Sequence, residues 1–192
     1  MTNSETNKQA TLPETIETAR LRLRPFRFDD MDAVFEYASD EAYLRYLDIP
    51  MPYSRADAEE FLAKQALIDR RSNPSWAIEV DGRASGGLNI RFFEQHRISE
   101  IGYAVARRVW GQGLATEAAR IVVATAFRTY PELSRVRAKA DARNAASIRV
   151  MEKLGMTREA LLRSDRAFRG ELVDEVVYGL LRSEWSALAG VT

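Results

Sequence analysis

Between a strand-like stretch and a long Ala-rich helical pattern stands Arg108-Val109-Trp110-Gly111-Gln112-Gly113. Two glycines at a strand-to-helix junction form a recipe for holding phosphate. The first amides of a helix have no intrahelical acceptor and carry partial positive charge, and glycine lets an oxyanion come close to them. The amides of Gly111, Gln112, Gly113, Leu114 and Ala115 are the candidate donors, and Arg108 is placed to add a charge-assisted bond. A nucleoside triphosphate loop needs Gly-x4-Gly-Lys-Ser/Thr, and no such run occurs. A dinucleotide loop needs a third glycine at position 116, where the residue is Thr116. Its strand would also open a βαβ unit, whereas this one closes a block of hairpins.

A second polar group follows in DARNAASIRVMEKLGM, residues 141–156. Asn144 is a strong helix N-cap, and Ser147 falls in the first turn behind it. Ile148, Met151 and Leu154 form the inward stripe of that helix. In the strand before the glycine turn, Glu100 offers a carboxylate and Tyr103 a phenol. A carboxylate at a strand edge is ordinarily a solvated charge, so the residues alone leave both readings of Glu100 open. His96, in the loop ahead, reads as a surface histidine. Arg107 reads as a solvated neighbour of the turn, and Trp110 as packing on the following helix.

Composition narrows the chemistry. The chain has 192 residues, 46% hydrophobic and 29% charged, which suits one domain with a proper core. Lys+Arg and Asp+Glu are both 28, so charge makes no case for nucleic acid or an acidic membrane as partner. With no cysteine, disulfides, thiolate metal sites and a Cys nucleophile are excluded. A single histidine leaves no His-rich metal site and a poor case for a Ser-His triad, so no metal is expected. No apolar run reaches the roughly 18–20 residues of a membrane span. The polar N-terminus has no secretory apolar region, so the expected location is the cytoplasm.

The elements that must position these residues follow the order β-α-α-β-β-β-α-β-α-β-β. Residues 1–13 are expected to be a disordered tail and 14–192 a single domain. Arg20–Phe26 alternates charged and apolar residues as a half-buried strand does. Asp29 or Asp30 caps a helix carrying Met31, Val34, Phe35 and Ala38. After a Pro-rich loop at 49–54, Ser54 with Asp57 forms an acidic capping box that opens a helix to about Arg71. Asp81-Gly82 marks a hairpin between two strands after Pro74. Ile98–Ala106 is the next strand. A helix from near Gly113 to Pro131 turns Leu114, Ala118, Ile121, Val122 and Thr125 to one face. A strand at Arg135–Ala140, a capped helix at Asn144–Gly155, strands near Met156–Arg163 and Leu172–Leu181, and a turn about Trp185 complete the chain.

The Arg-x-x-Gly-x-Gly run at 108–113 resembles the coenzyme A diphosphate loop of the GNAT N-acetyltransferases. EIGYAVARRVWGQGLATEAAR, residues 100–120, is similar to their RimJ/RimL branch, which acetylates amino groups. Asn144, Ser147, Lys153, Leu154, Gly155 and Met156 match, in register, the Asn-x-x-Ser…Lys-x-Gly-hydrophobic run that follows in that family. The likeness extends from RLRLRPF near the front to VVYGLLRSEW near the end. It implies a mixed α/β fold with a central, twisted, mostly antiparallel sheet of about six to seven strands and about four main helices.

The resemblance also implies acetyl-CoA as acyl donor and an amine acceptor, in a monomer or a homodimer. Tyr103, Ala104 and Val105 would lend main-chain groups to the pantetheine arm, with Asn144 and Ser147 hydrogen-bonding near it. Glu100 stands where several members keep a base. The tyrosine that many members carry seven residues beyond the motif's Asn is Met151 here, which has no proton to give. Ser147, water or unassisted departure remain for the CoA thiolate. An ammonium has no lone pair, and an α-amine (reference pKa roughly 7.7–8.0) loses its proton far more readily than lysine (about 10.4). A modest base such as Glu100, acting through water, suffices for an α-amine. With no thiol to carry an acyl group, the amine attacks directly in a ternary complex, an amide of the 98–106 strand stabilising the oxyanion. The expected acceptor is a protein N-terminal α-amine. The alternatives are a small amine (polyamine, amino acid or aminoglycoside) or a non-catalytic acyl-CoA-binding module. Asp40–Leu47 and Arg163–Gly170 are expected to wall the acceptor site.

Overall fold

The computed structural model describes residues 10–189, so positions 1–9 of the expected tail lie outside the described residues. Its strands are β1 (Ile16–Glu17), β2 (Arg22–Arg24), β3 (Ser75–Val80), β4 (Arg83–Phe93), β5 (Ile98–Val105), β6 (Arg135–Asp141), β7 (Thr157–Phe168) and β8 (Glu171–Leu181). Its helices are α1 (Met31–Ala38), α2 (Glu41–Leu44), α3 (Arg55–Ala66), α4 (Leu114–Thr129), α5 (Ala145–Lys153) and α6 (Arg182–Ala189). The strands form one 8-stranded sheet in the order β1-β2-β3-β4-β5-β6-β8-β7. Every neighbouring pair is antiparallel except β5 and β6.

Local signals built these elements as the residue types require. Ser54 and Asp57 exchange both arms of a capping box at the start of α3, Ser54 N donating to Asp57 Oδ2 at 2.8 Å and Asp57 N to Ser54 Oγ at 3.2 Å. Asp81 and Gly82 take φ of +52° and +74°, the left-handed pair that a tight hairpin needs between β3 and β4. Alternation along β4 turns Phe92 toward Tyr130 at the end of α4, with ring centroids 4.8 Å apart. Gly87 faces the other way, under Phe26. Thus α1 and α3 cover one face of the sheet and α4 and α5 the other. Trp76, Ile78, Ile90, Val122, Phe127 and Met151 are fully buried between them.

Several boundaries depart from expectation for identifiable reasons. Leu12 is 3% exposed, and the Pro13 carbonyl accepts from Trp76 Nε1 at 3.2 Å, so residues 10–13 are packed rather than a disordered tail. The strand expected at Arg20–Phe26 is β2, only Arg22–Arg24, cut short where Pro25 brings no amide donor, and β1 hairpins back onto it. Helix α3 stops at Ala66 instead of Arg71. Beyond it, Asp69 folds the chain into a turn, accepting from Arg71 N at 3.0 Å and Ser72 Oγ at 2.7 Å. Asp40 caps the short α2, accepting from Ala42 N at 2.8 Å. Strand β7 runs on to Phe168, absorbing a register shift between Leu162 and Arg166 with Ser164 at φ +53°. The expected turn about Trp185 is helix α6, and the indole stacks on Phe127 at 5.1 Å.

Candidate active site

Strands β5 and β6 run side by side for three register pairs, Ile98 with Arg135, Ser99 with Val136 and Glu100 with Arg137, and then part. Beyond Glu100, β5 stays with β4 and β6 with β8, which opens a gap in the sheet. Ala106 N donates to Ser85 O at 2.8 Å and therefore points toward β4. Backbone groups alternate in direction along an antiparallel strand, so Val105 and Tyr103 point theirs into the gap. Ala104, expected to share that duty, turns its main chain to β4; its carbonyl oxygen lies where a Cβ on Gly86 would fall. The Val105 carbonyl is taken by Trp110 Nε1 at 2.7 Å. Trp110 itself is 46% exposed, so its ring does not pack into the helix as expected but braces the end of the gap.

At that end lies the glycine turn. Gly111 and Gly113 have φ of +75° and +78°, which L side chains rarely adopt. A Cβ on Gly111 would meet nothing within 4 Å, and one on Gly113 only Arg20 Nη2 at 3.9 Å. Glycine is therefore demanded by backbone conformation, with open space left outside. Gly113 is the N-cap of α4 and supplies no side-chain cap, so the amides of Leu114 and Ala115 lack the usual acceptor. Among the described residues, the amides of Gly111, Gln112 and Gly113 have no acceptor either. The expected phosphate donors thus stand together and unengaged. Arg108 is used differently from expectation, its Nη2 donating to Ser85 Oγ and to Ala84 O, which ties the turn to β4. The cation beside the turn is Arg20, whose Nη1 donates to Gln112 O at 2.9 Å and whose Nε donates to Glu117 Oε2 at 2.7 Å. Nothing in the local sequence marks Arg20; it reaches the loop from the β1–β2 hairpin.

Across the gap, the Asn144 side chain caps α5 by accepting from Ser147 N at 3.1 Å, as its residue type predicts. The turn before it is set by Asp141, 3% exposed, which accepts from the Arg143 amide at 2.9 Å and from its guanidinium at 2.7 and 2.9 Å. The Arg143 bonds hold the Asp141 carboxyl below its ordinary range. Tyr103, expected to act through its main chain, also sends its hydroxyl to Ser147, 3.1 Å from the carbonyl oxygen and 3.2 Å from Oγ. Burial pushes that phenol up to about 12. Met151 is 0% exposed and belongs to the core.

On the α1–α3 face, a cavity of about 440 Å³ reaches Gly102, Tyr103 and Ala104 of β5. Five aromatic rings, Phe26, Tyr37, Tyr43, Tyr53 and Phe61, wall it, together with the polar side chains Gln65, Asn73, Ser75 and Asn89. Tyr43 and Leu47 bring in the expected Asp40–Leu47 wall. Residues 163–170 do not line the cavity; Arg169 Nη2 instead donates to Leu44 O at 3.1 Å, and Tyr46 Oη to Arg143 O at 3.0 Å, clasping the α2 segment from two sides. Glu100 shares the cavity face, because it lies two residues from Gly102 on β5. It is not in the lining, and its Oε2 accepts from Arg137 Nε at 2.8 Å. His96 is structural, stacked on Tyr130 at 4.7 Å. Arg107 is solvated, 3.8 Å from Asp40. Among the described residues no cluster of His, Asp or Glu could hold a metal, and no helix is long and apolar enough to cross a membrane.

A family model described as an acetyltransferase (GNAT) domain matches residues 20–157. The chain belongs to the GNAT acetyltransferases. It is 30% identical over 171 residues to the uncharacterized N-acetyltransferase YnaD of Bacillus subtilis, covering 89% of this chain and 99% of the relative. It is 35% identical over 106 residues to the putative ribosomal N-acetyltransferase YdaF of the same organism, covering 55% and 57%. Against the spermidine N(1)-acetyltransferase of Escherichia coli the identity is 26% over 156 residues, covering 79% and 80%. The crystal structure of a GNAT-family acetyltransferase from Bacillus anthracis superposes with a TM-score of 0.78 at 28% identity, covering 88% of this chain and 99% of the other. GNAT enzymes use acetyl-CoA as acyl donor, and the residues fit it: free amides at an open glycine turn suit a diphosphate, and the β5–β6 gap suits an extended arm.

Proposed function

We propose that this GNAT enzyme acetylates a protein N-terminal α-amine by direct attack in a ternary complex. The observation that carries the reading is the meeting of two openings at Tyr103. The strand gap reaches it from the diphosphate turn, and the acceptor cavity reaches it from the other face of β5. A thioester lying along the gap and an amine in the cavity then approach across one strand, and holding both is a large part of catalysis. The Tyr103 amide, pointing into the gap, is the oxyanion donor. Glu100 takes the amine proton through water from its place beside Gly102, and Ser147, with Tyr103, returns a proton to the thiolate. The amides from Gly111 to Ala115 hold the diphosphate, with Arg20 adding positive charge. The name of the YdaF relative supports a protein acceptor, and that of the spermidine enzyme supports a small polyamine.

The test is a melting curve with acetyl-CoA beside mass-spectrometric turnover of peptides and small amines. A native-state ligand raises stability by RT ln(1 + [L]/Kd), so saturating acetyl-CoA must shift the melting temperature. Peptide acetylation at the α-amine supports the reading. A shift without turnover of any amine returns the chain to an acyl-CoA-binding module, and no shift removes the donor assignment.

A further inference from the structure

We propose that the aromatic cavity selects an acceptor amine whose adjacent carbon carries a bulky, uncharged, apolar group; this rests on the acetyl-transfer reading above. Two strand positions in the floor of the cavity, Gly87 and Gly102, carry no side chain. A Cβ on Gly87 would stand 3.1 Å from Phe26 Cζ, and one on Gly102 would stand 2.8 Å from Asn89 Oδ1. Both glycines let the groups above them lie close on the sheet. The walls are organised in advance, Phe26 meeting Phe61 edge-on at 5.0 Å and Tyr37 meeting Tyr43 at 5.1 Å.

Charge decides the class. None of the residues lining the cavity is Asp, Glu, Lys or Arg. Burial raises the phenols of Tyr37, Tyr43 and Tyr53 well above their ordinary range, so they stay neutral. The acids nearest Tyr53, Asp57 and Glu60, are engaged elsewhere: Asp57 on the Ser54 amide at 2.8 Å and Glu60 on Lys64 at 2.6 Å. A polyamine would shed the water around several ammonium groups with no counter-charge to receive them. An apolar group loses nothing of the kind and gains by leaving water.

The strand side of the cavity carries amide groups. Asn89 Nδ2 donates to Asn73 Oδ1 at 2.9 Å, which leaves Asn89 Oδ1 beside Gly102 to accept from one amine N–H. The amine is thereby held at β5 and its substituent directed toward α1 and α3. At about 440 Å³ the space lies within the usual range for a small ligand and takes a phenyl or branched aliphatic group.

The experiment compares kcat/KM for peptides beginning with Phe or Leu, with Ser or Ala, and with Asp or Lys, alongside phenethylamine and spermidine. The expected result is an advantage of about tenfold or more for the bulky apolar acceptors. Whether peptides or phenethylamine lead identifies the source of the group. Equal or better turnover of Ser-initiated peptides or spermidine overturns the inference, as does failure of the whole panel while acetyl-CoA still shifts the melt. Loss of that shift would instead refute the donor reading. Tyr53→Glu puts a carboxylate in the half-buried wall and is expected to raise KM for the apolar acceptor about tenfold, with KM for acetyl-CoA and Tm unchanged. Tyr53→Phe, which keeps the ring and adds no charge, is expected to raise that KM less than Tyr53→Glu does. Ile49→Glu serves if Tyr53→Glu does not fold, and an unchanged preference in the folded variant overturns the proposal.

Discussion

The Tyr103 hydroxyl stands 3.1 Å from the carbonyl oxygen of Ser147 and 3.2 Å from its Oγ, joining the gap-side strand to the first turn of α5. A phenol that donates to the carbonyl has its lone pairs left for the serine O–H. The two hydroxyls therefore form a chain whose protons are ordered by one backbone acceptor. Met151 is fully buried and has no proton to give, so in the proposed reading this chain is the proton source for the departing thiolate.

Removing either hydroxyl tests that role. Ser147→Ala and Tyr103→Phe are each expected to lower kcat about tenfold or more, the lower part of general-acid effects, because a thiolate leaves readily. KM for acetyl-CoA should move less than kcat. The cost in stability is about 1 kcal/mol for one lost hydrogen bond. Steady-state kinetics beside a melting curve separates the two, and loss confined to Tm would leave Tyr103 as a brace for α5.

Gly113→Ala addresses the diphosphate turn. The residue sits at φ +78° with only Arg20 Nη2 near the new Cβ, so the fold loses about 1–2 kcal/mol to the left-handed backbone. A ligand drawn up to the amides would meet the methyl group directly. KM for acetyl-CoA is expected to rise about tenfold or more, with acceptor KM unchanged. Titration calorimetry with CoA checks it; a loss of stability without loss of affinity would make the glycine a turn residue alone.

Arg24 is the buried charge on which the front of the domain depends. Its guanidinium is 4% exposed and grips Asp30 with two bonds of 2.7 and 2.8 Å, while Nε meets Glu79. The Asp30 bonds come first in holding the arginine charged. Arg24→Leu leaves Asp30 buried and unpaired, and about 3–5 kcal/mol of stability is expected to go. The double change Arg24→Leu with Asp30→Asn should recover part of it, which denaturant titration measures.

What could be read from the chain in advance was local. Ser54 with Asp57, Asp81 before Gly82, and Asn144 before Ser147 each close within a few residues, and each formed as the residue types dictate. The packed Leu12, the Arg20 brace on Gln112 and the pairing of Asn73 with Asn89 join segments far apart in the chain. No periodicity or spacing encodes such contacts. The same holds for the aromatic cavity, whose rings come from α1, α2, α3, the loop before α1 and the loop between α2 and α3. Arg108 shows the converse: its place in the motif suggested a ligand contact, and only the fold reveals that Ser85 and Ala84 hold its guanidinium.

Alkaline pH should weaken the fold through buried phenols. Burial raises Tyr37, Tyr43 and Tyr103, the last to about 12, against an ordinary value of 10.0. The folded state thus keeps protons that the unfolded chain releases. Their stabilisation is whole below the unfolded value and is lost as pH rises through the folded ones, at up to about 1.4 kcal/mol per pH unit for each. Melting temperature should fall more steeply above pH 10 than below it, and less steeply in Tyr103→Phe.

Glu100→Gln tests the amine base. The carboxylate accepts from Arg137 at the last register pair before β5 and β6 part, on the cavity face beside Gly102. Glutamine keeps the shape and one acceptor for Arg137 but cannot take a proton at neutral pH. If Glu100 removes the amine proton through water, kcat/KM for the acceptor falls by roughly 10²–10⁴. The loss should shrink as pH rises, because solvent then delivers more free amine. KM for acetyl-CoA should stay unchanged, since the diphosphate amides lie at the far end of the gap. The pair with Arg137 is half-exposed and contributes at most about 1 kcal/mol, so Tm should hardly move. Arg137→Met is the control, for it breaks the same pair while keeping the carboxylate. If the two variants lose the same activity, Glu100 only anchors Arg137. If Glu100→Gln alone loses the pH-dependent rate, the proton passes through its carboxylate, and a wild-type profile in both removes it from the chemistry.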